Sequence, residues 1–230
     1  SAFLGAAKML RCALSNDGDS GDDAGNQKIQ PTGLRMDLKL EGKTAVVTGG
    51  SVGIGKAIAL CLAQEGVDVA ICARRKDVLD DTAAEIARAT NRKIVPLVAD
   101  LTKTEDANAF IEGAAEALGR IDILVNNAGA AAGGTLESLT DDDWEAALAL
   151  KFFGYVRCTR AVVPYMKKQG GGRVVNLIGN DGVKPSYWEV APGAANAAGQ
   201  NLTMSLAGQY GPDNITFAAV NPGPVRTERW

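Results

Sequence analysis

From Lys43 onward the chain alternates between short apolar runs and segments whose apolar residues recur at helical spacing, and this alternation restricts the fold more than any other feature. Strand-type runs fall at 44–48, 67–73, 93–99, 121–125, 173–178 and 215–220, and helical periodicity fills 56–65, 77–89, 104–118, 141–166 and 194–209 between them. Strands that are apolar on both faces and separated by helices build a parallel sheet covered on both sides, with right-handed crossovers. Gly66 and Gly119 mark helix ends, and Thr104 is placed to cap the third helix. Thr140 and Asp143 have the spacing of a capping box at the start of the long fourth helix, and Pro164 sits near that helix's end. A doubly wound α/β sheet follows, in which ligands bind beyond the carboxyl ends of the strands.

Composition bounds the function. The chain has 230 residues, 46% of them hydrophobic, which suits one medium domain with a real core. Its net charge is −3 with lysines and arginines dispersed, so no nucleic-acid surface is expected. No apolar stretch is long enough to span a bilayer, so no membrane partner is expected either. Histidine is absent, which excludes Ser-His-Asp catalysis, Cys-His catalysis and every His-ligated zinc site. Cys12, Cys61, Cys72 and Cys158 form no C-x-x-C pair, and Cys61 and Cys72 lie in apolar segments as small buried hydrophobes. This usage suits a reducing compartment, most simply the cytoplasm.

Residues 1–36 read differently. An apolar stretch at 3–14 carries Lys8 and Arg11, and 15–27 is polar, acidic and glycine-containing. It reads as a targeting or partner-binding segment, or as a disordered extension before a start at Met36; the signal-peptide features are incomplete, which favours the extension. The expected organisation is an extension over 1–36 and one domain over 37–230.

Three motifs fall at strand ends. Thr48-Gly49-Gly50-Ser51-Val52-Gly53-Ile54-Gly55 joins the first strand to the first helix, where glycines let backbone approach a phosphate and the helix N-terminus offers free N–H groups. Cys72-Ala73-Arg74-Arg75 closes the second strand; an acid there would hold an adenosine ribose, whereas arginines suit a 2′-phosphate. The alternative for Arg74 and Arg75 is a pair of solvated residues opening a helix. Asn126-Asn127-Ala128-Gly129 follows the fourth strand.

With Asp100 after the third strand and Asn221-Pro222-Gly223-Pro224-Val225-Arg226-Thr227 after the sixth, these motifs resemble the short-chain dehydrogenase/reductase family from Leu40 to Thr227. The resemblance implies a Rossmann-like fold and a nicotinamide dinucleotide, with NADP(H) preferred and NAD(H) possible. It places Gly49, Ser51, Gly53, Ile54 and Gly55 around the pyrophosphate and Arg74 and Arg75 at the 2′-phosphate. Asp100 and Leu101 would flank adenine. Asn127, Ala128 and Gly129 would line the adenosine side, and Pro222, Gly223, Val225 and Thr227 the nicotinamide end. A homodimer or homotetramer paired through the long helix is also implied. Family chains continue past the P-G segment into a lid and a further strand and helix, so the C-terminal strand and lid are expected to be missing, in a fragment or a short form.

The active-site half departs from the family pattern of Asn, Ser and Tyr-x-x-x-Lys. Lys151 stands in the place of the asparagine and Gly179 or Asn180 in that of the serine. Pro192 takes the place of the tyrosine and Asn196 that of the lysine. The Asn and Lys places have exchanged residue types, which suggests a swap in which Lys151 supplies the ammonium and Asn196 the amide; the alternative is a Lys151 that snorkels to an interface and an Asn196 that packs. Tyr187 is a candidate proton donor, or with Trp188 an apolar wall; Asp181 and Glu189 share its loop. Tyr155 is expected to face a neighbouring subunit. Lys151, Asn196, Asn180 and Tyr187 are thus the candidate catalytic residues of an oxidoreductase acting on a small carbonyl or alcohol. The competing reading is a catalytically inactive NADP(H)-binding sensor or partner subunit.

Overall fold

The computed structural model describes residues 37–130 and 132–225; the expectations for 1–36, Cys12 and Thr227 lie outside the described residues. Six strands, β1 (Thr44–Thr48), β2 (Asp68–Ala73), β3 (Ile94–Val98), β4 (Ile123–Asn126), β5 (Gly172–Leu177) and β6 (Ile215–Val220), form one sheet in the order β3-β2-β1-β4-β5-β6. Every pairing is parallel. The strand order therefore reverses between β1 and β4, the point at which such sheets open a crevice. The sheet ends at β6 on one side, with no further strand among the described residues.

Burial explains the apolar runs. All five residues of β1 and all four of β4 are buried, because helices cover both faces of the central strands. On one face α1 (Gly53–Gln64) and α2 (Lys76–Thr90) pack Ile58, Leu62, Leu79 and Ile86 onto Val47, Val69 and Ile71. On the other, α3 (Thr104–Leu118) and α5 (Phe153–Lys168) pack Phe110, Ile111, Val162 and Met166 onto Val46, Leu124 and Val174.

Three boundaries differ from the periodicity reading. Thr104 does not cap α3: Lys103 holds the cap position, and the Thr104 hydroxyl instead accepts from Arg157 Nε at 3.2 Å. The long helix is not continuous. Thr140 and Asp143 do form the capping box of α4 (Asp141–Ala147), but a π-helical turn at Leu148–Phe152 separates α4 from α5. Arg157 Nη1 donates to Ala149 O at 2.8 Å inside that turn and to Leu101 O at 3.2 Å, tying it to α3's approach. Finally, α6 (Val190–Tyr210) begins ahead of 194 and includes Pro192. Proline is tolerated there because the first-turn N–H groups of a helix have no intrahelical acceptor.

Tyr155 is a correction. It is 2% exposed and donates its hydroxyl to Leu177 O at 2.8 Å, so it faces the sheet rather than a neighbouring subunit. Burial pushes its hydroxyl well above the usual tyrosine range. Cys61, Cys72 and Cys158 are buried, as the apolar context of the first two implied; burial lifts the Cys158 thiol to about 12, against a smaller opposing effect of Arg157.

A buried polar chain ties the second half of the sheet to its helices. Asn126 Nδ2 donates to Asn176 Oδ1 at 2.8 Å and to Thr159 Oγ1 at 3.2 Å; Asn176 Nδ2 donates to Thr203 Oγ1 at 2.8 Å, and Thr203 to Gly199 O at 2.7 Å. Replacing Asn176 by Ala removes the acceptor for one buried amide and the donor for a buried hydroxyl. Chemical denaturation should show a loss of about 1–3 kcal/mol for each stranded group, with the native fold retained.

Candidate active site

The turn after β1 is built around positions that admit no side chain. Gly49 has φ +65°, in the left-handed region that favours glycine. A Cβ on Gly55 would lie 2.0 Å from Gly49 O and 2.5 Å from Asn127 Nδ2. Across the switch point, Asn127 Nδ2 donates to Thr48 O at 2.9 Å and Gly49 O at 3.1 Å, while Thr48 Oγ1 accepts from Asn127 N at 2.8 Å and Ala128 N at 2.9 Å. The crest is held from the other side, where Gly50 N donates to Cys72 O at 3.0 Å and Thr82 Oγ1 to Ser51 O at 2.7 Å. The glycine turn is therefore braced by β4, β2 and α2 before any ligand arrives.

The N-terminus of α1 opens above this turn. Its cap residue, Val52, supplies no side-chain acceptor, and its first turn holds no acidic residue. By contrast α2, α3 and α4 carry Asp77, Glu105 with Asp106, and Asp141 to Asp143 in their first turns. The N–H groups of Gly53, Ile54 and Gly55 are thus the ones left for an outside anion, with the positive end of the helix dipole behind them. A cradle that any Cβ would fill and that presents uncapped amides fits a dinucleotide pyrophosphate.

The residues expected at the adenosine side lie at the ends of β2 and β3. Arg74 and Arg75 are exposed beyond Ala73, with Arg75 at the cap position of α2. Asp100 Oδ1 accepts from Thr102 N at 3.1 Å and Thr102 Oγ1 at 2.8 Å. Burial raises the Asp100 pKa, but these hydrogen bonds, helped by the Lys103 and Arg74 charges, more than offset it, and the carboxyl is held below its ordinary value. Leu101 is 4% exposed, a core residue whose carbonyl is occupied by Arg157.

The residues expected to carry the chemistry come from the end of β4, the π-helical turn, the end of β5 and α6. Lys151 lies in the π-helical turn with its aliphatic stem over Gly129, where a Cβ would come within 3.3 Å of Lys151 Cδ. The sharp widening of the helix there is of a kind found often at functional positions. Asn196 is 1% exposed; its Nδ2 donates to Asp181 Oδ1 at 2.8 Å, and its Oδ1 has no hydrogen-bond partner among the described residues. Asn180 opens a 3-10 turn (Asn180–Gly182) and donates its backbone N–H to Pro222 O at 3.1 Å, which joins the end of β5 to the P-G segment. Gly223 and Val225 continue that segment. Tyr187 is not drawn in: it is 73% exposed and rests edge-to-face on Trp188 at 4.3 Å.

The structure thus brings Asn196 and Asn180 to one place and Lys151 to the neighbouring end of β4, and leaves Tyr187 outside. Sequence reading did not single out the contact of Asp181 with Asn196, because fifteen positions of loop and helix separate them and only the fold closes that distance. Among the described residues no group of three or more Cys, Asp or Glu side chains is arranged to hold a metal ion, and no helix is long and apolar enough to cross a membrane.

Comparison with known proteins points the same way. The family model described as short chain dehydrogenase matches residues 43–230. The 3-oxoacyl-[acyl-carrier-protein] reductase of Thermotoga maritima is 34% identical over 190 residues, spanning 83% of this chain and 77% of that protein. L-sorbose reductase from Gluconobacter frateurii, solved with NADPH and L-sorbose, superposes with a TM-score of 0.82 at 33% identity, covering 85% of this chain and 74% of that one. An NAD+-bound xylitol dehydrogenase superposes with a TM-score of 0.78 at 31% identity, covering 80% and 71%.

Gly55→Ala is the sharpest probe of the cradle. The added methyl must displace Gly49 O or the Asn127 amide, so calorimetry should record loss of dinucleotide binding, and thermal unfolding a lower midpoint.

Proposed function

The chain belongs to the short-chain dehydrogenase/reductase family, and from that premise we propose that it is an NADP(H)-dependent oxidoreductase with a non-standard active site. It would move hydride between nicotinamide and a small carbonyl or alcohol. The observation that carries this reading is the braced glycine turn under an uncapped helix N-terminus at the switch point of the sheet. Preference for NADP(H) is supported by Ala73 at the end of β2, where an acid would otherwise receive a ribose, and by the exposed guanidinium groups of Arg74 and Arg75 beside it. NAD(H) remains a possible second cofactor.

Bound there, the nicotinamide supplies the hydride chemistry; the chain supplies position and polarity. Gly49, Ser51, Gly53, Ile54 and Gly55 would hold the pyrophosphate, and Asp100 and Leu101 would flank adenine. Asn127 and Ala128 would act mainly through the turn they brace. Gly129 would line the adenosine side with them, and Pro222, Gly223, Val225 and Thr227 the way to the nicotinamide. Lys151 and Asn196 would exchange the family's roles. In support, Lys151 reaches across Gly129, and the Asn196 carbonyl is a buried acceptor awaiting a donor such as a ribose hydroxyl. Asn180 would complete the polar wall. For Tyr187 to serve as proton donor it must leave Trp188 and turn inward. Pairing into a homodimer or homotetramer would use α5, whose outer face shows Phe153 and Tyr165. Buried thiols of this kind suit a reducing compartment such as the cytoplasm.

A second reading is favoured by one observation. Pro192, at the place of the family's tyrosine, is buried in α6 and offers no proton. Under that reading the protein binds NADP(H) without turnover, as a sensor or partner subunit. Titration with NADPH and NADH followed by assays on panels of carbonyls and alcohols separates the two, since both bind cofactor and only the first turns over. NADPH should bind more tightly, and Arg74→Ala should erase most of that preference by calorimetry; tighter NADH binding by the unaltered protein would contradict the role given to Arg74. Lys151→Met should weaken NADPH binding about tenfold to a hundredfold, the worth of a charge-assisted hydrogen bond. Unchanged affinity and unchanged turnover would remove the swap.

A further inference from the structure

Gly179, with Asn180, stands at the place of the family's serine, and the structure shows what fills the space beside Gly179. A Cβ built on Gly179 would lie 2.3 Å from Asp181 Oδ1 and 2.4 Å from Asn196 Nδ2. A carboxylate and an amide, joined by the 2.8 Å hydrogen bond from Asn196 Nδ2, thus occupy the position of a hydroxyl-bearing side chain. Asp181 is held there by its turn. Asn180 N is bonded to Pro222 O and Gly182 N to Gly179 O. Gly182 is pressed so closely on α6 that a Cβ would come within 2.7 Å of Asn196 Cβ. The other carboxylate oxygen lies beside Gly193 in the first turn of α6, at the positive end of the helix. Asp181 is half-buried, so it keeps a route for protons to solvent.

Neither the place of the family's tyrosine nor Tyr155 nor Tyr187 supplies a proton carrier here. Pro192 has none, the Tyr155 hydroxyl is bound to Leu177 O inside the core, and Tyr187 lies out on Trp188. A carboxylate cannot donate to a carbonyl oxygen as a serine does; it attracts an O–H and repels a bare carbonyl.

On the oxidoreductase reading above, we propose that Asp181 is the proton acceptor of the reaction and that the substrate it receives is an alcohol. The alcohol O–H bond breaks and its proton passes to the Asp181 carboxylate. The carbinol C–H bond breaks with its electron pair leaving as hydride to the oxidised nicotinamide, and the C=O double bond forms. The alcohol is oxidised, the dinucleotide is reduced, and Asp181 returns its proton to solvent. Asn196 is the positioning residue that fixes the carboxylate.

The test uses the full chain with NADP+ and a panel of primary and secondary alcohols. Asp181→Asn, whose amide oxygen can still accept from Asn196, should lower kcat about 10²–10⁴-fold, the usual worth of a positioned general base, while the NADP+ dissociation constant measured by calorimetry changes far less than kcat. Asp181→Glu, which keeps the charge, should retain more of kcat than Asp181→Asn. Added formate should restore part of the rate of Asp181→Ala, saturably. In cofactor-free protein, the Asn196 side-chain amide followed by NMR should lose protection from solvent exchange in Asp181→Ala. Normal kcat in Asp181→Asn, or loss of kcat in Glu189→Gln in its place, overturns the assignment while leaving the oxidoreductase reading intact. Absence of turnover by the unaltered protein with every alcohol and every carbonyl removes that reading and this assignment with it.

Discussion

The hydrogen bonds from the Asn127 amide to the carbonyls of Thr48 and Gly49 are the constraint around which the rest is arranged. They cross the gap between β1 and β4, the two strands at which the winding of the sheet reverses. By fixing the glycine turn from the far side of the crevice, they aim the start of α1 at open space. Gly55 makes the arrangement unforgiving, since Gly49 O and Asn127 Nδ2 both lie where its side chain would be. The cradle is therefore a property of two strand ends acting together, and neither loop would hold that shape alone. Binding a charged diphosphate to backbone amides depends on such rigidity, because donors that are already oriented need little ordering when the ligand arrives.

Much of this was legible in the sequence. Burial on both faces leaves its mark as uninterrupted apolar runs, so all six strands were found close to their positions. Glycines with special backbone conformations identified the cradle, and Thr140 with Asp143 identified the start of α4. What was not legible depends on contacts between distant residues. Apolar periodicity runs straight through Leu148–Phe152, because one extra residue in a turn rotates the pattern too little to register over so short a window. Thr104 has the right chemistry for a cap, yet Arg157, far along the chain, claims its hydroxyl. The periodicity begins only at 194, whereas α6 starts at Val190 and takes Pro192 into its first turn, where proline does no damage.

The active-site half was legible as a set of departures but not as an arrangement. Sequence alone shows lysine and asparagine in exchanged places; it does not show that Asn196 has its donor side engaged by Asp181 and its acceptor side buried without a partner. Nor does it show that the absence of a side chain at Gly179 is a steric necessity once that pair is in place. Gly179, Asp181 and Asn196 form one structural unit, and a substitution at any of them is felt by the other two.

That unit gives a physical reason for the absence of lysine at position 196. An ammonium at hydrogen-bond distance from the Asp181 carboxylate would stabilise its charged form, as an opposite charge within a few ångströms does, and so weaken it as a base. An amide in the same place offers one hydrogen bond without a full charge. The carboxylate is oriented by that bond. A positive charge can still serve the cofactor if it enters from another element, and the π-helical turn that carries Lys151 over Gly129 brings one to the end of β4. On this view the exchange of residue types at 151 and 196 moves the cation away from the carboxylate, and the loss of the tyrosine at 192 is the counterpart of a base supplied from the turn after β5.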